Sequence, residues 1–288
     1  MGEGCTLTGA VRVAHRAMGC EFGITIPGES DRSARQAADA AFALLDSIEA
    51  ELSPRIPTSD VSRINALAPG RWTRIGPETT RCLAAARGAC RRTGGAFDVT
   101  LGRRKHLVLD AARHRARITR AGVAVDPGGI GKGYALDRMA QVLREWGIGS
   151  AFLHSGGSTA LAIGELPGRW RVALAHPARP AATLGTAVLR AGAFAGSGTA
   201  GQGPHIVDPR SGRPARRAAA WAWAPTAALA DALSTAFMIL PANAIRSVCT
   251  KGRAVGIIAA GGSGTVRLTR WGAGPGIAFD RTGRGGRR

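Results

Sequence analysis

Between positions 126 and 134 the chain reads Asp-Pro-Gly-Gly-Ile-Gly-Lys-Gly-Tyr, and no other stretch restricts the fold so sharply. Gly128, Gly129, Gly131 and Gly133 let the backbone turn tightly and bring its N–H groups near an anion. Val123 to Val125, just ahead, have the β-branched character of a strand. Leu136, Met139, Leu143 and Trp146, behind, fall at helical spacing, and Gly147 stands where such a helix stops. The expected arrangement is strand, loop and helix N-terminus, with Lys132 adding a full positive charge to the partial one of the helix. It reads as a phosphate cradle, although the same glycines fit a plain tight connection. The spacing is neither the dinucleotide G-x-G-x-x-G nor a Walker loop, because Gly133 follows Lys132 where Ser or Thr is required.

A chain of 288 residues has room for a large core, as one domain or as two small lobes. No run approaches the roughly 18 uninterrupted apolar residues of a spanning helix. The opening Met-Gly-Glu-Gly-Cys-Thr-Leu-Thr lacks a basic segment followed by an apolar core. A cytoplasmic location without membrane insertion is therefore expected. The five cysteines, at 5, 20, 82, 90 and 249, contain no C-x-x-C pair, so neither a disulfide framework nor a zinc site is expected. Cys82 and Cys90, on one helix, read as small core residues.

A net charge of +20 ordinarily points to nucleic acid. Here only Lys105, Lys132 and Lys251 are lysines, the arginines are scattered, and seven Phe and one Tyr leave little to stack on bases. No specific nucleic-acid partner is expected. Residues 276–288 read as a basic Gly/Arg-rich, disordered tail, residues 1–10 as an N-terminal extension, and 11–275 as the domain proper.

Val11 to Ile26 is strand-like with a break at Met18-Gly-Cys20. Ala34, Ala37, Ala41, Leu44, Leu45, Ile48 and Leu52 trace a long helix ended by Ser53-Pro54. Ser59 to Asn65 looks like a short capped helix, and a second alanine-rich helix is expected from Pro77 to about Thr93. Ala151 to Ile163 suggests two strands around Ser155-Gly-Gly-Ser158, with further strands between Trp170 and Ala195. A helix from about Thr226 to Leu240 and a hairpin from Val255 to Leu268 complete the pattern. Strands and helices mix without a βαβ rhythm and without internal repeats. The class is α+β, with a mixed, largely antiparallel sheet and flanking helices.

Three further groups carry chemistry. Asp231 and Thr235, at i and i+4, project oxygens from one helix face, suitable for a hard cation such as Mg²⁺ beside a diphosphate. Such a pair on an alanine-rich helix is more often at the surface or bonded to its own backbone. His205 and Asp208 flank a turn closed by Pro209 and Gly212, as a base with its orienting carboxylate or as separate contacts. Phe97-Asp98, after Gly94-Gly-Ala96, fits a ring-binding corner or an ordinary turn.

Set in order, Met18-Gly-Cys20, Ser59-Asp-Val-Ser-Arg-Ile-Asn65, Ala96-Phe-Asp-Val-Thr100, Asp126 to Tyr134, Ser155-Gly-Gly-Ser158, His205-Ile-Val-Asp-Pro-Arg-Ser-Gly212 and Ala230-Asp-Ala-Leu-Ser-Thr235 resemble the ApbE family of FAD:protein FMN transferases over roughly residues 11 to 270. The resemblance implies a Mg²⁺-dependent enzyme that splits FAD, joins FMN through its phosphate to a Thr or Ser of an acceptor protein, and releases AMP. It also implies roles. Asp231, Thr235 and the backbone carbonyl of Gly129 match metal-ligand positions, while Met18, Ala96, Phe97, Asp98, Asp126, Lys132 and His205 match positions lining the FAD pocket. His205 is the expected catalytic base, with Asp98 or a metal-bound phosphate as substitute.

Three departures stand out. Arg55 occupies the place of a flavin-facing tyrosine, where a guanidinium can stack on a ring or approach a phosphate. Val99 replaces a proline, and Gly129 a residue that is often Ala or Ser. Rival readings are a Mg²⁺-dependent FAD pyrophosphatase yielding free FMN and AMP, and a flavin- or nucleic-acid-binding protein without turnover.

Overall fold

The computed structural model describes residues 9–28, 31–164, 170–199, 206–215, 217–252, 254–260, 266–274 and 276–280. Val11 to Ile26 folds as a hairpin of β1 (Ala10–Ala17) and β2 (Cys20–Pro27), with Ala17 opposite Cys20. Its turn residues Met18 and Gly19 have φ of 51° and 74°, the left-handed pair whose twist suits a two-residue loop. Met18 N–H donates to Glu49 Oε1 at 2.8 Å and ties the tip to α1 (Asp31–Leu52). On α1, Ala34, Ala37, Ala41, Leu45, Ile48 and Leu52 form one buried face. α2 (Asp60–Asn65) begins at Ser59, whose Oγ accepts from Ser62 N–H at 3.0 Å.

The chain continues through β3 (Trp72–Arg74), α3 (Pro77–Arg92), β4 (Leu107–Asp110), β5 (Arg115–Ile118), α4 (Gly131–Glu145), β6 (Ala151–Ser155) and β7 (Thr159–Ile163). Next come β8 (Trp170–His176), β9 (Arg179–Leu189), β10 (Gly192–Gly198), β11 (Ala219–Ala224), α5 (Ala227–Phe237), α6 (Ala242–Gly252), β12 (Val255–Ala260), β13 (Arg267–Trp271) and β14 (Ile277–Asp280). An eight-stranded antiparallel sheet runs β1-β2-β6-β7-β10-β11-β12-β13, beside three-stranded sheets ordered β14-β9-β8 and β3-β5-β4. This is the expected α+β architecture.

The long sheet lies between two cores, and β11 shows why. In Ala-Ala-Trp-Ala-Trp-Ala the alternation of a strand sends Ala220, Ala222 and Ala224 to the helical side, and Trp221 and Trp223 to the side of β8, β9 and β14. Small residues on one face let α5 lie close against the sheet, while the indoles fill the gap between sheets on the other. α5 is buried on nearly every face, Leu229 and Thr235 being the half-buried exceptions. Cys82 and Cys90 are buried core residues of α3, and burial pushes the Cys82 thiol up to about 12.

Several expectations give way. Val123 to Val125 is extended but has no strand partner; the Asn65 side chain supplies the bonds a neighbouring strand would. α5 ends at Phe237 rather than near Leu240, and Arg217 donates to the Phe237 carbonyl there. β11, α6 and the β3-β5-β4 sheet have no counterpart in the sequence reading, since alanine-rich β11 carries no β-branched residue. Ile277–Asp280, assigned to the tail by composition, forms β14 on β9, and Phe279 packs edge-on against Phe194. The turn at Gly261-Gly262 and residues 281–288 lie outside the described residues.

Candidate active site

Register places the working end of the long sheet. Cys20 begins β2, Phe22 opposes Ser155 of β6, Ser155 opposes Thr159 of β7, Thr159 opposes Ala195 of β10, and Gly198 opposes Ala219 of β11. The Met18-Gly19 and Gly156 to Ser158 turns and the end of β10 therefore share one edge. A cleft of about 800 Å³ opens there, within the roughly 300–1,000 Å³ of sites for cofactor-sized molecules. Met18, Arg55, Ala96, Phe97, Asp98, Asp126, Gly129, Lys132, Asp231 and Thr235 all line it. His205 lies outside the described residues; Ile206, Val207 and Pro209, which follow it, line the same cleft.

The glycine loop works differently from the expected cradle. Gly128 N–H donates to Asp126 Oδ1 at 2.8 Å, Ile130 and Gly131 N–H donate to the Pro127 carbonyl at 2.9 and 2.7 Å, and Gly133 N–H donates to Asp231 Oδ2 at 3.1 Å. These four amides are spent inside the protein. None of the four loop glycines has positive φ, so their use is their missing side chain. A Cβ on Gly133 would overlap the Ala227 carbonyl of α5, and one on Gly129 would sit 3.1 Å from Thr235 Oγ1 and 3.2 Å from Phe97. The loop thus lets α4 touch α5, and Lys132 brings the positive charge to the cleft.

Asp231 is buried in this contact. Desolvation pushes its carboxyl up, against the Lys132 charge and the Gly133 N–H. Thr235 Oγ1 back-bonds to the Asp231 carbonyl at 3.2 Å and meets Ser197 Oγ at 3.3 Å, and Ser197 Oγ also pairs with Ser234 Oγ at 2.8 Å. Among the described residues no cluster of three or more His, Cys, Asp or Glu is present. Carboxylate, hydroxyl and backbone oxygen around a lysine-bearing cleft suit a hard cation that fills its shell with water and phosphate, and do not suit zinc.

Asp98, the substitute base, and Asp208, the orienting carboxylate of the sequence reading, both have partners inside the protein. Asp98 Oδ1 accepts from Thr100 N–H at 2.9 Å and Thr100 Oγ1 at 2.7 Å, and Oδ2 from Gly102 N–H at 3.2 Å, so it shapes the turn behind Phe97. Asp208 pairs with Arg210 through Nε and a terminal nitrogen, both at 2.9 Å, and the Arg210 guanidinium holds it below the usual carboxylate range. It serves as Arg210's partner.

The sequence reading gave no role to several residues near the cleft. Cys20, Leu101 and His176 line it, as does Ser197, whose only signal was the pair of flanking glycines. Behind it, Glu78 of α3 accepts from Tyr134 Oη at 2.5 Å and from Arg138 Nε at 2.9 Å on α4. Burial pushes the Glu78 carboxyl up, but the Arg138 and Tyr134 hydrogen bonds, with the charges of Arg138 and Arg81, outweigh it and hold the group below its ordinary value.

Fold and cleft define an α+β protein in which one end of a long antiparallel sheet and two abutting helices build an oxygen-lined, lysine-bearing pocket. A family model described as the ApbE family matches residues 18–258, and the chain belongs to that family. A curated relative, the FAD:protein FMN transferase of Klebsiella pneumoniae (strain 342), is 29% identical over 125 residues, 40% of this chain and only 38% of that protein. The crystal structure of an ApbE protein from Thermotoga maritima superposes with a TM-score of 0.77 at 25% identity, over 91% of this chain and 97% of its own. Flavin transferase ApbE from Vibrio cholerae gives 0.78 at 20% identity over 91% and 97%, and the apo flavinyl transferase ApbE of Pseudomonas stutzeri 0.79 at 22% over 91% and 94%. At these lower identities the likeness concerns the fold. No helix among the described residues is long and apolar enough to cross a membrane.

Proposed function

We propose that this chain is a Mg²⁺-dependent FAD:protein FMN transferase, which cleaves FAD, attaches FMN to a Thr or Ser of an acceptor protein, and releases AMP. The supporting observation is convergence: residues as far apart as Met18 and Thr235, each at a family motif position, line one cleft of cofactor size.

In this reading Asp231, Thr235 and the Gly129 carbonyl hold Mg²⁺, which supplies charge neutralisation on the diphosphate. Lys132 faces the same phosphates, and Phe97, Met18 and Arg55 border the flavin. Ala96, Asp98 and Asp126 shape the wall. The acceptor hydroxyl oxygen forms a bond to the FMN-side phosphorus while the bond to the AMP oxygen breaks. His205 takes the hydroxyl proton. Pre-set charge around the phosphates counts most in such a displacement, because negative charge spreads over their oxygens as it proceeds. The acceptor is a cytoplasmic protein or a cytoplasm-facing segment, and no specific nucleic acid takes part.

The same cleft with water in place of the hydroxyl would be a pyrophosphatase, so product analysis is the test. Purified protein is incubated with FAD and Mg²⁺, with and without host extract, following AMP and FMN by chromatography and covalent flavin by in-gel fluorescence. Transfer gives AMP with a fluorescent acceptor band. AMP and free FMN without a band would mean hydrolysis, and unchanged FAD would sink both.

A further inference from the structure

Asp137 lies in α4, two turns into the helix that the glycine loop starts, and the chemistry above leaves it idle. Its carboxylate reaches across to α5, where Ala227 N–H donates to Oδ1 at 2.7 Å and Ala228 N–H donates to Oδ2 at 2.9 Å. A reciprocal bond lies beside it: Gly133 N–H, in the first turn of α4, donates to Asp231 Oδ2 of α5. Each helix thereby fills orphan donors in the first turn of the other. α5 already has a local cap, because Thr226 Oγ1 accepts from Leu229 N–H at 3.3 Å. Starting the helix therefore does not require Asp137.

The division of the cleft between helices gives this clamp its meaning. Gly129 and Lys132 belong to the loop and first turn of α4, whereas Asp231 and Thr235 belong to α5, about a hundred positions away. Their spacing is set by tertiary contacts between the two helices. The Gly133 to Asp231 bond uses the very carboxylate that would hold a cation, whereas the Asp137 bonds use none of the site's oxygens. They fix both the height and the rotation of α5, one turn before Asp231.

Resting on the proposed metal-dependent reading, we infer that Asp137 is a positioning residue for the divalent-cation site: it clamps α5 to α4 and so sets Asp231 and Thr235 against Gly129 and Lys132. Groups that orient metal ligands typically change metal affinity by about 10–100-fold when altered.

The test compares Asp137→Asn with wild type and with Thr226→Ala, which removes the local cap but leaves the clamp. Mn²⁺ affinity in the presence of FAD is read by electron paramagnetic resonance, and amide hydrogen exchange is read without any ligand. Asp137→Asn is expected to weaken Mn²⁺ binding about tenfold or more, leave metal-free FAD affinity within about twofold, and speed exchange at Gly133 together with Ala227 and Ala228. Thr226→Ala is expected to lower Tm without moving Mn²⁺ affinity. An Asp137→Asn protein with wild-type Mn²⁺ affinity, or equal Mn²⁺ losses in both variants, would overturn the inference. If wild type itself binds no Mn²⁺ with FAD, the functional reading fails, and exchange at Gly133 still judges the clamp: unchanged exchange overturns it. Should Asp137→Asn not fold, Asp137→Glu, which keeps the charge on a longer arm, carries the same comparison.

Discussion

Asn65 pairs with both backbone groups of Val125, accepting its N–H at Oδ1 at 2.7 Å and donating Nδ2–H to its carbonyl at 3.0 Å. A side chain at the end of α2 thus does the work of a neighbouring strand, holding the segment, with Val123 and Val125 buried, that feeds the glycine loop. Asn65→Ala would leave two backbone groups without partners at a cost of about 1–3 kcal/mol for each that stays dry. Denaturant unfolding is expected to show that loss for Asn65→Ala, and at least as large a one for Asn65→Asp, which keeps the acceptor but sets a second oxygen against the Val125 carbonyl. An unchanged midpoint for Asn65→Ala would remove the pairing from the account.

Two glycines on helices should respond oppositely to alanine. Gly133→Ala forces a Cβ into the Ala227 carbonyl, which is backbone and cannot swing away. About 1–3 kcal/mol of stability is expected to go, and Mg²⁺-dependent FAD cleavage with it, because α4 and α5 separate. Gly88→Ala in α3 meets open space and is expected to stabilise by about 0.5–1 kcal/mol through a less flexible unfolded chain. Thermal unfolding of the pair is the check, and equal signs would refute the packing argument.

Glu78 sets an acid limit. Its folded pKa lies below the unfolded value of 4.5, so its contribution is present above that pH and fades as pH falls through 4.5 toward the folded value. Glu78→Gln is therefore expected to be less stable than wild type at neutral pH and to converge with it in acid. A stability difference that stays constant from about pH 7 to 3.5 would show that ionisation of Glu78 has no part in it.

At the cleft, Asp231→Asn and chelation of divalent metal are each expected to lower FAD cleavage by about 100-fold or more. For His205→Ala the expectation is a loss of transfer of about 10²–10⁴-fold with FAD binding retained. Steady-state turnover beside FAD titration separates the two effects, and a fully active His205→Ala would send the search for the base elsewhere.

Much of the molecule was readable along the chain because its signals are local. The Ser59 cap, the Met18-Gly19 turn, the α1 stripe and the Gly147 stop each depend on residues within a few positions, and each is present in the fold. Motif order likewise points to nine residues that line the cleft, and Arg55 joins them as a departure from the family pattern. Where the reading erred, a distant partner was at work. Val123 to Val125 looked like a strand but pairs with a side chain sixty positions back.

The order of residues specified the local shapes and the inventory of chemical groups, since caps, turns and periodicity are short-range physics. Folding in three dimensions chose which strand lies beside which, turned alanines one way and tryptophans the other in β11, and converted Gly133 from a supposed anion donor into a gap for Ala227. It also brought Asp137 to an amide ninety positions away. Such choices follow from burying one continuous surface against another, and a close approach between distant segments leaves no mark on the residues immediately around either one.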